Sequence, residues 1–128
     1  MILVDSSVWI DHLKVPNQAL ADLMDRERLL MHPMVIGEVA LGSLRDRAEV
    51  LGRLSQLPSA RIASHQHVML MIEGRRLFGS GIGYVDAHLL ASARVTPECG
   101  LWTRDKRLRA AAERMDLFRE PVEEAGGV

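Results

Sequence analysis

Four acidic side chains stand where a surface charge does not belong. The chain has 17 Asp and Glu residues. Several fall into helix-surface pairs, Asp22 with Arg26, Glu49 with Arg53 and Glu113 with Arg109, each worth about 0.2–0.5 kcal/mol. Asp5, by contrast, closes the all-apolar run Ile2-Leu3-Val4. Glu38 shares a helical stripe with Met34, Val35 and Leu41, its i−4, i−3 and i+3 neighbours. Asp86 shares a face with Leu89, Leu90 and Ala93, and Asp105 follows a second apolar run, Leu101-Trp102-Thr103. Taken singly, Asp5 and Asp105 suit helix N-caps, and Glu38 and Asp86 suit the solvent edge of an apolar stripe. Gathered in one partly buried pocket, four carboxylates repel one another and raise their own pKa values. A hard divalent cation removes that conflict, and oxygen-only donors favour Mg²⁺ or Mn²⁺ over zinc. One or two such ions acidify a bound water and stabilise the in-line transition state of phosphodiester hydrolysis.

Whether the four meet depends on the elements that carry them. Short apolar runs at residues 2–4, 28–31, 61–63, 101–103 and 117–119 read as strands buried on both faces. Helical spacing covers residues 6–14, 17–26, 45–57, 66–78, 84–94 and 106–115, and a further helix starts at Pro33, a residue suited to a first helical turn. The apolar positions expected inside include Val8, Trp9, Leu13, Leu20, Leu41, Leu44, Val50, Leu54, Met69, Leu70 and Met71. Strands alternating with helices imply an α/β fold in three layers, a short central parallel sheet flanked by helices. In such a sheet the strand C-termini and the N-termini of the following helices share one edge, where ligands bind. Asp5 and Asp105 are carried to that edge by strands, Glu38 and Asp86 by the early turns of inward-facing helices.

Composition bounds the alternatives. The 128 residues are 48% hydrophobic and 26% charged, enough for one packed domain over residues 1–128, with 121–128 expected to fray. The longest apolar run, Val68 to Ile72, is far short of the ~20 residues of a membrane helix. The start lacks a basic segment ahead of its apolar run, and Cys99 stands alone, excluding an internal disulfide or a Cys-based zinc site. A cytoplasmic protein is expected. The net charge of −1 excludes a bulk cationic coat, and aromatics at 4% are too few for a base-stacking platform.

The segments LVDSSVWIDHL, IGEVALG, GIGYVDAHLLASA and LWTRDKRL resemble, in order, the four signature blocks of the PIN-domain family. They are most similar to the VapC-type toxins of bacterial toxin–antitoxin pairs, and the similarity runs from residue 2 to about residue 119. The resemblance implies a PIN-like fold and a Mg²⁺-dependent endoribonuclease, with Mn²⁺ as a substitute. By position it implies that Asp5, Glu38, Asp86 and Asp105 hold the metal and carry catalysis, with Ser6 and Thr103 orienting ligands or water. It further implies an RNA substrate, a small antitoxin whose basic tail lies in the acidic groove, and a homodimer.

Other residues carry weaker signals. Arg104, Lys106 and Arg107 are candidates for holding RNA phosphates, as are Arg75, Arg76 and Arg109, although solvated helix faces with local ion pairs explain them equally. His65 and His67 are i,i+2 and cannot share a helix face as a zinc pair, and His88 points away from the acids. Gly79, Gly81 and Gly83 read as a flexible loop that helps position Asp86 rather than a phosphate cradle. No nucleophile elbow surrounds Ser6 or Ser7, and no phosphate-binding or dinucleotide fingerprint occurs. Two rivals stand beside the nuclease. One is a phosphatase or receiver-like domain using Asp5 as nucleophile, which lacks the neighbouring second acid because Ser7 occupies that position. The other is a non-catalytic module binding a basic peptide.

Overall fold

A computed structural model of the chain describes residues 1–121; the expectation for residues 122–128 lies outside them. Three short parallel strands, β1 (Ile2–Val4), β2 (Leu29–Leu30) and β3 (Gly100–Trp102), form a sheet of order β2-β1-β3. Leu3 pairs with Leu30 on one side and Leu101 on the other. Leu3, Val4 and Leu101 are fully buried. Strands apolar on both faces need cover on both, and helices supply it. These are α1 (Ser6–Lys14), α2 (Gln18–Asp25), α3 (Pro33–Ala40), α4 (Arg47–Ser55), α5 (His65–Gly74), α6 (Tyr84–Val95) and α7 (Lys106–Arg114). None of them is long and apolar enough to cross a membrane. The α/β architecture with a parallel sheet is the one expected.

Local chemistry explains the helix ends. Asp5, Asn17, Ser64 and Asp105 each cap a helix with a side-chain oxygen that accepts an N–H of the first turn. His32 caps α3 through Nδ1, which accepts the Met34 N–H at 3.1 Å, and Pro33 follows in the first turn. That bond leaves the ring proton on Nε2, which faces Ser92 Oγ at 3.1 Å. His32 is therefore a neutral structural bridge between α3 and α6, its pKa lowered to about 4 by burial and then by His88.

Several expectations fail. Residues 61–63 form no strand. The sheet is instead extended at that edge by a single bridge from Met31 to Ser59. The chain then leaves the sheet because the Arg61 N–H turns to Thr96 Oγ1 at 2.9 Å, and Ile62 is exposed. Residues 117–119 likewise reduce to one bridge, between Leu101 and Phe118. Leu41 is not core: α3 ends at Ala40, so Leu41 leaves the stripe and is 89% exposed. Leu13, in the last turn of α1, is 38% exposed. On α5, Val68 and Met71 face inward at i,i+3, which turns Met69 and Leu70 outward; Met69 is not core filling. Helix α5 also stops at Gly74, four residues before the expected Phe78, which is exposed.

Candidate active site

The strand order reverses at β1: β2 lies on one side of it and β3 on the other. A crevice opens beyond the strand C-termini at such a reversal. Asp5 sits there, its N–H bonded to the Trp102 carbonyl at 2.9 Å so that the β1–β3 pairing continues into it. It is only 3% exposed, a position a carboxylate tolerates when it accepts hydrogen bonds. Oδ1 accepts the Ser6 N–H at 2.7 Å, and Oδ2 accepts the hydroxyls of Ser7 at 2.8 Å and Thr103 at 2.7 Å.

Glu38 lies in the second half of α3 rather than in the early turn expected, and α3 packs on α1. Its Oε1 accepts the Ser6 hydroxyl at 3.0 Å. Ser6 thereby joins the first two acids, its backbone to Asp5 and its side chain to Glu38. Burial raises the Glu38 pKa, the Ser6 hydrogen bond opposes this, and the nearby Asp5 charge adds to the rise. The stripe expected to bury Glu38 included Leu41, which is exposed; Val35 and Val39 are the buried residues that tuck α3 against the core.

Asp86 occupies the first turn of α6 and is half-buried, with Oδ2 accepting the Gly83 N–H at 3.3 Å. Its pKa is pushed up to about 6, chiefly by burial, against the pull of that hydrogen bond, and further by the charges of Asp5, Asp105 and Glu38. The three other acids of the quartet thus all act on this one carboxyl. Asp105 caps α7, Oδ1 accepting the N–H groups of Arg107 and Leu108 at 2.9 Å each. It is the most exposed of the four.

The donor set is made of carboxylates, with no thiol or imidazole, which fits a hard divalent cation. Among the described residues, no three His, Cys, Asp or Glu side chains are drawn together as a ready coordination sphere. A cation that keeps several of its waters and uses one or two carboxylates directly fits such a spaced group better than one needing a closed cage.

The basic candidates separate. The Arg104 guanidinium pairs with Asp11 at 2.7 Å on the exposed surface beside the crevice. The Arg107 side chain lies across the loop before α6, so close that a Cβ on Gly81 would stand 2.8 Å from its Cδ. Gly81 has φ +84°, a conformation glycine adopts freely. Lys106 is exposed on the first turn of α7. His88 is buried against Tyr84, whose ring it stacks on at 5.1 Å, and His65 bonds the Tyr84 hydroxyl. None of these rings joins the acids. The residue that sequence reasoning passed over is Ser7, considered only as a nucleophile and as a missing acid. Its position two residues after a strand-ending Asp was the available signal.

A PIN domain matches residues 2–114 of the chain. The protein belongs to the PIN-domain family. Among curated relatives it is similar to Ribonuclease VapC32 of Mycobacterium tuberculosis, in strain CDC 1551 / Oshkosh and in strain ATCC 25618 / H37Rv. Each is 46% identical over 111 residues, covering 87% of this chain and 90% of the relative.

Proposed function

We propose that this protein is a divalent-cation-dependent endoribonuclease, the toxin of a toxin–antitoxin pair. The observation that carries the reading is the set Asp5, Glu38, Asp86 and Asp105 at the switch edge of a PIN-family sheet. The 46% identity to a protein named as a ribonuclease supports the reaction and the substrate class. Asp5, Glu38, Asp86 and Asp105 would hold Mg²⁺, or Mn²⁺ in its place. When bound, the cation supplies Lewis acidity toward the scissile phosphate and lowers the pKa of water.

The chain's own residues prepare that chemistry. Ser6 holds Asp5 and Glu38 in one arrangement through two hydrogen bonds, and Thr103 holds Asp5 from just past the end of β3. Asp86, its pKa pushed up to about 6 chiefly by burial, must give up its proton before it can offer a charge to a cation. Arg104 and Lys106 stand beside the crevice and suit the flanking phosphates of an RNA chain, with Arg107 at the Gly81 loop. A cognate antitoxin with a basic tail complements the acidic edge, and a cytoplasmic homodimer completes the reading. The phosphoacceptor alternative draws no support: Asp5 is buried, and both its oxygens accept hydrogen bonds.

The test is cleavage of a mixed RNA pool by nuclease-free protein in Mn²⁺, in Mg²⁺ and in EDTA, beside Asp5→Asn. Cleavage in metal only, lost in the variant, is expected. Cleavage that persists in Asp5→Asn would overturn the reading.

A further inference from the structure

Ser7 is the second residue of α1, and its hydroxyl sits at a junction between two chain segments almost a hundred residues apart. It donates to Asp5 Oδ2 at 2.8 Å and accepts the backbone N–H of Arg104 at 3.0 Å. Thr103 does the same one step along, donating to Oδ2 at 2.7 Å and accepting the Asp105 N–H at 3.0 Å. The two hydroxyl oxygens lie 3.3 Å apart. Each hydroxyl owns a single hydrogen, and both hydrogens are given to Oδ2, so the contact between them is not a hydrogen bond. Two relays therefore run in parallel from the β3–α7 turn, through a hydroxyl, into one oxygen of Asp5.

Counting acceptor sites shows what this leaves. A carboxylate oxygen accepts about two hydrogen bonds, and Oδ2 has both. Oδ1 takes the Ser6 N–H at 2.7 Å; the Ser6 hydroxyl, 3.4 Å away, spends its hydrogen on Glu38 at 3.0 Å. Asp5 thus retains one free lone pair, and it is on Oδ1, the oxygen nearer the Ser6–Glu38 bond.

We propose that Ser7 is a positioning residue: it saturates Oδ2 of Asp5 together with Thr103, leaving Oδ1 as the donor oxygen, and anchors the turn that carries Asp105 through the Arg104 amide. The inference rests on the reading of Asp5 as a cation ligand. Removing the hydroxyl frees one lone pair on Oδ2 beside the one already open on Oδ1, lets the carboxylate turn, and leaves the Arg104 N–H without its acceptor. Hydrogen-bonded partners of metal ligands typically change metal affinity by about 10–100-fold when removed.

Ser7→Val and Ser7→Thr differ by a methyl in place of the hydroxyl and are nearly the same shape. Three quantities are read on each: Mn²⁺ affinity by calorimetry, exchange protection of the Arg104 amide in EDTA, and kcat against KM for RNA. Ser7→Val should bind Mn²⁺ about tenfold more weakly, lose Arg104 protection and fall in kcat with KM little changed, while Ser7→Thr keeps all three near wild type. Ser7→Ala replaces the valine variant if that chain does not fold, with the same outcome expected. Wild-type Mn²⁺ affinity in the hydroxyl-free variant, or a threonine variant as impaired as valine, overturns the inference and leaves the cation site standing. Wild-type protein that takes up no Mn²⁺ brings down the cation reading and the inference with it.

Discussion

Replacing Asp86 by Asn should make the metal-free protein more stable at neutral pH, although it abolishes the proposed activity. Asp86 rises from the ordinary 3.8 to about 6 on folding. A carboxyl whose folded pKa is raised binds its proton more tightly in the native state. Its favourable contribution is complete below pH 3.8 and is lost as pH rises through about 6. Just over two units at 1.36 kcal/mol each sets an upper bound of about 3 kcal/mol. The site is only half-buried, so solvent screening reduces this to about 1–2 kcal/mol.

Asparagine keeps the volume, and its carbonyl can still accept the Gly83 N–H. It loses a charge at the N-terminus of α6, a cost of about 0.3–1 kcal/mol. The net gain at pH 8 is about 1 kcal/mol, roughly 4 °C in Tm for a chain of this size. His32 complicates the raw profile. Its pKa is lowered to about 4, so its contribution is complete above 6.5 and is lost as pH falls toward 4. Between pH 4 and 6.5 the two groups act in opposite directions and partly cancel in the wild type. The difference between variant and wild type removes His32 and isolates Asp86. Thermal melts in EDTA from pH 4.5 to 8 should show that difference shrinking to zero, or reversing, on acidification. A difference independent of pH would refute the electrostatic account of Asp86.

Mn²⁺ should raise the wild-type Tm continuously with concentration, by the equivalent of about 2.7 kcal/mol at a hundred times Kd, and EDTA should reverse it. Calorimetric melts of wild type and Asp86→Asn check this, the variant losing most of the response. Arg104→Ala, tested in an Asp5→Asn background so that RNA stays intact, should weaken RNA binding and flatten its salt dependence by about one charge. Its stability should change by less than about 1 kcal/mol, because the Asp11 pair it breaks is half-exposed on both sides. Gly81→Ala should cost about 1–2 kcal/mol in chemical denaturation, since the left-handed backbone is strained for alanine and the new Cβ meets Arg107.

The sequence by itself determined what short-range chemistry decides. The runs read at 2–4, 28–31 and 101–103 suited strands buried on both faces of a parallel sheet, and each became one, at 2–4, 29–30 and 100–102. Asp5 and Asp105 carry oxygens only three bonds from their own Cα, so their capping bonds were visible from position alone. The same two acids, with Glu38 and Asp86, were legible as charges misplaced on apolar elements. What the tertiary structure decided depended on partners far along the chain. Residues 61–63 and 117–119 each pair two apolar residues with an arginine, a pattern a strand can carry, but a strand needs a neighbour whose N–H and C=O groups are free. The Arg61 N–H was taken by Thr96, and residues 117–119 kept a single bridge. Leu41, Met69 and Leu70 fit helical stripes, yet where α3 stops and how α5 rolls on α6 turned them outward. The rise of Asp86 to about 6 comes from burial and from three acids 19 to 81 positions away, which no local pattern encodes. Ser7 is the plainest case. A serine in a first helical turn looks like any other until Thr103 and the Arg104 amide, 96 and 97 positions away, meet its hydroxyl. Local bonds are set by covalent distance and can be read from spacing; a hydrogen-bond relay across two strands exists only once the sheet has brought them together.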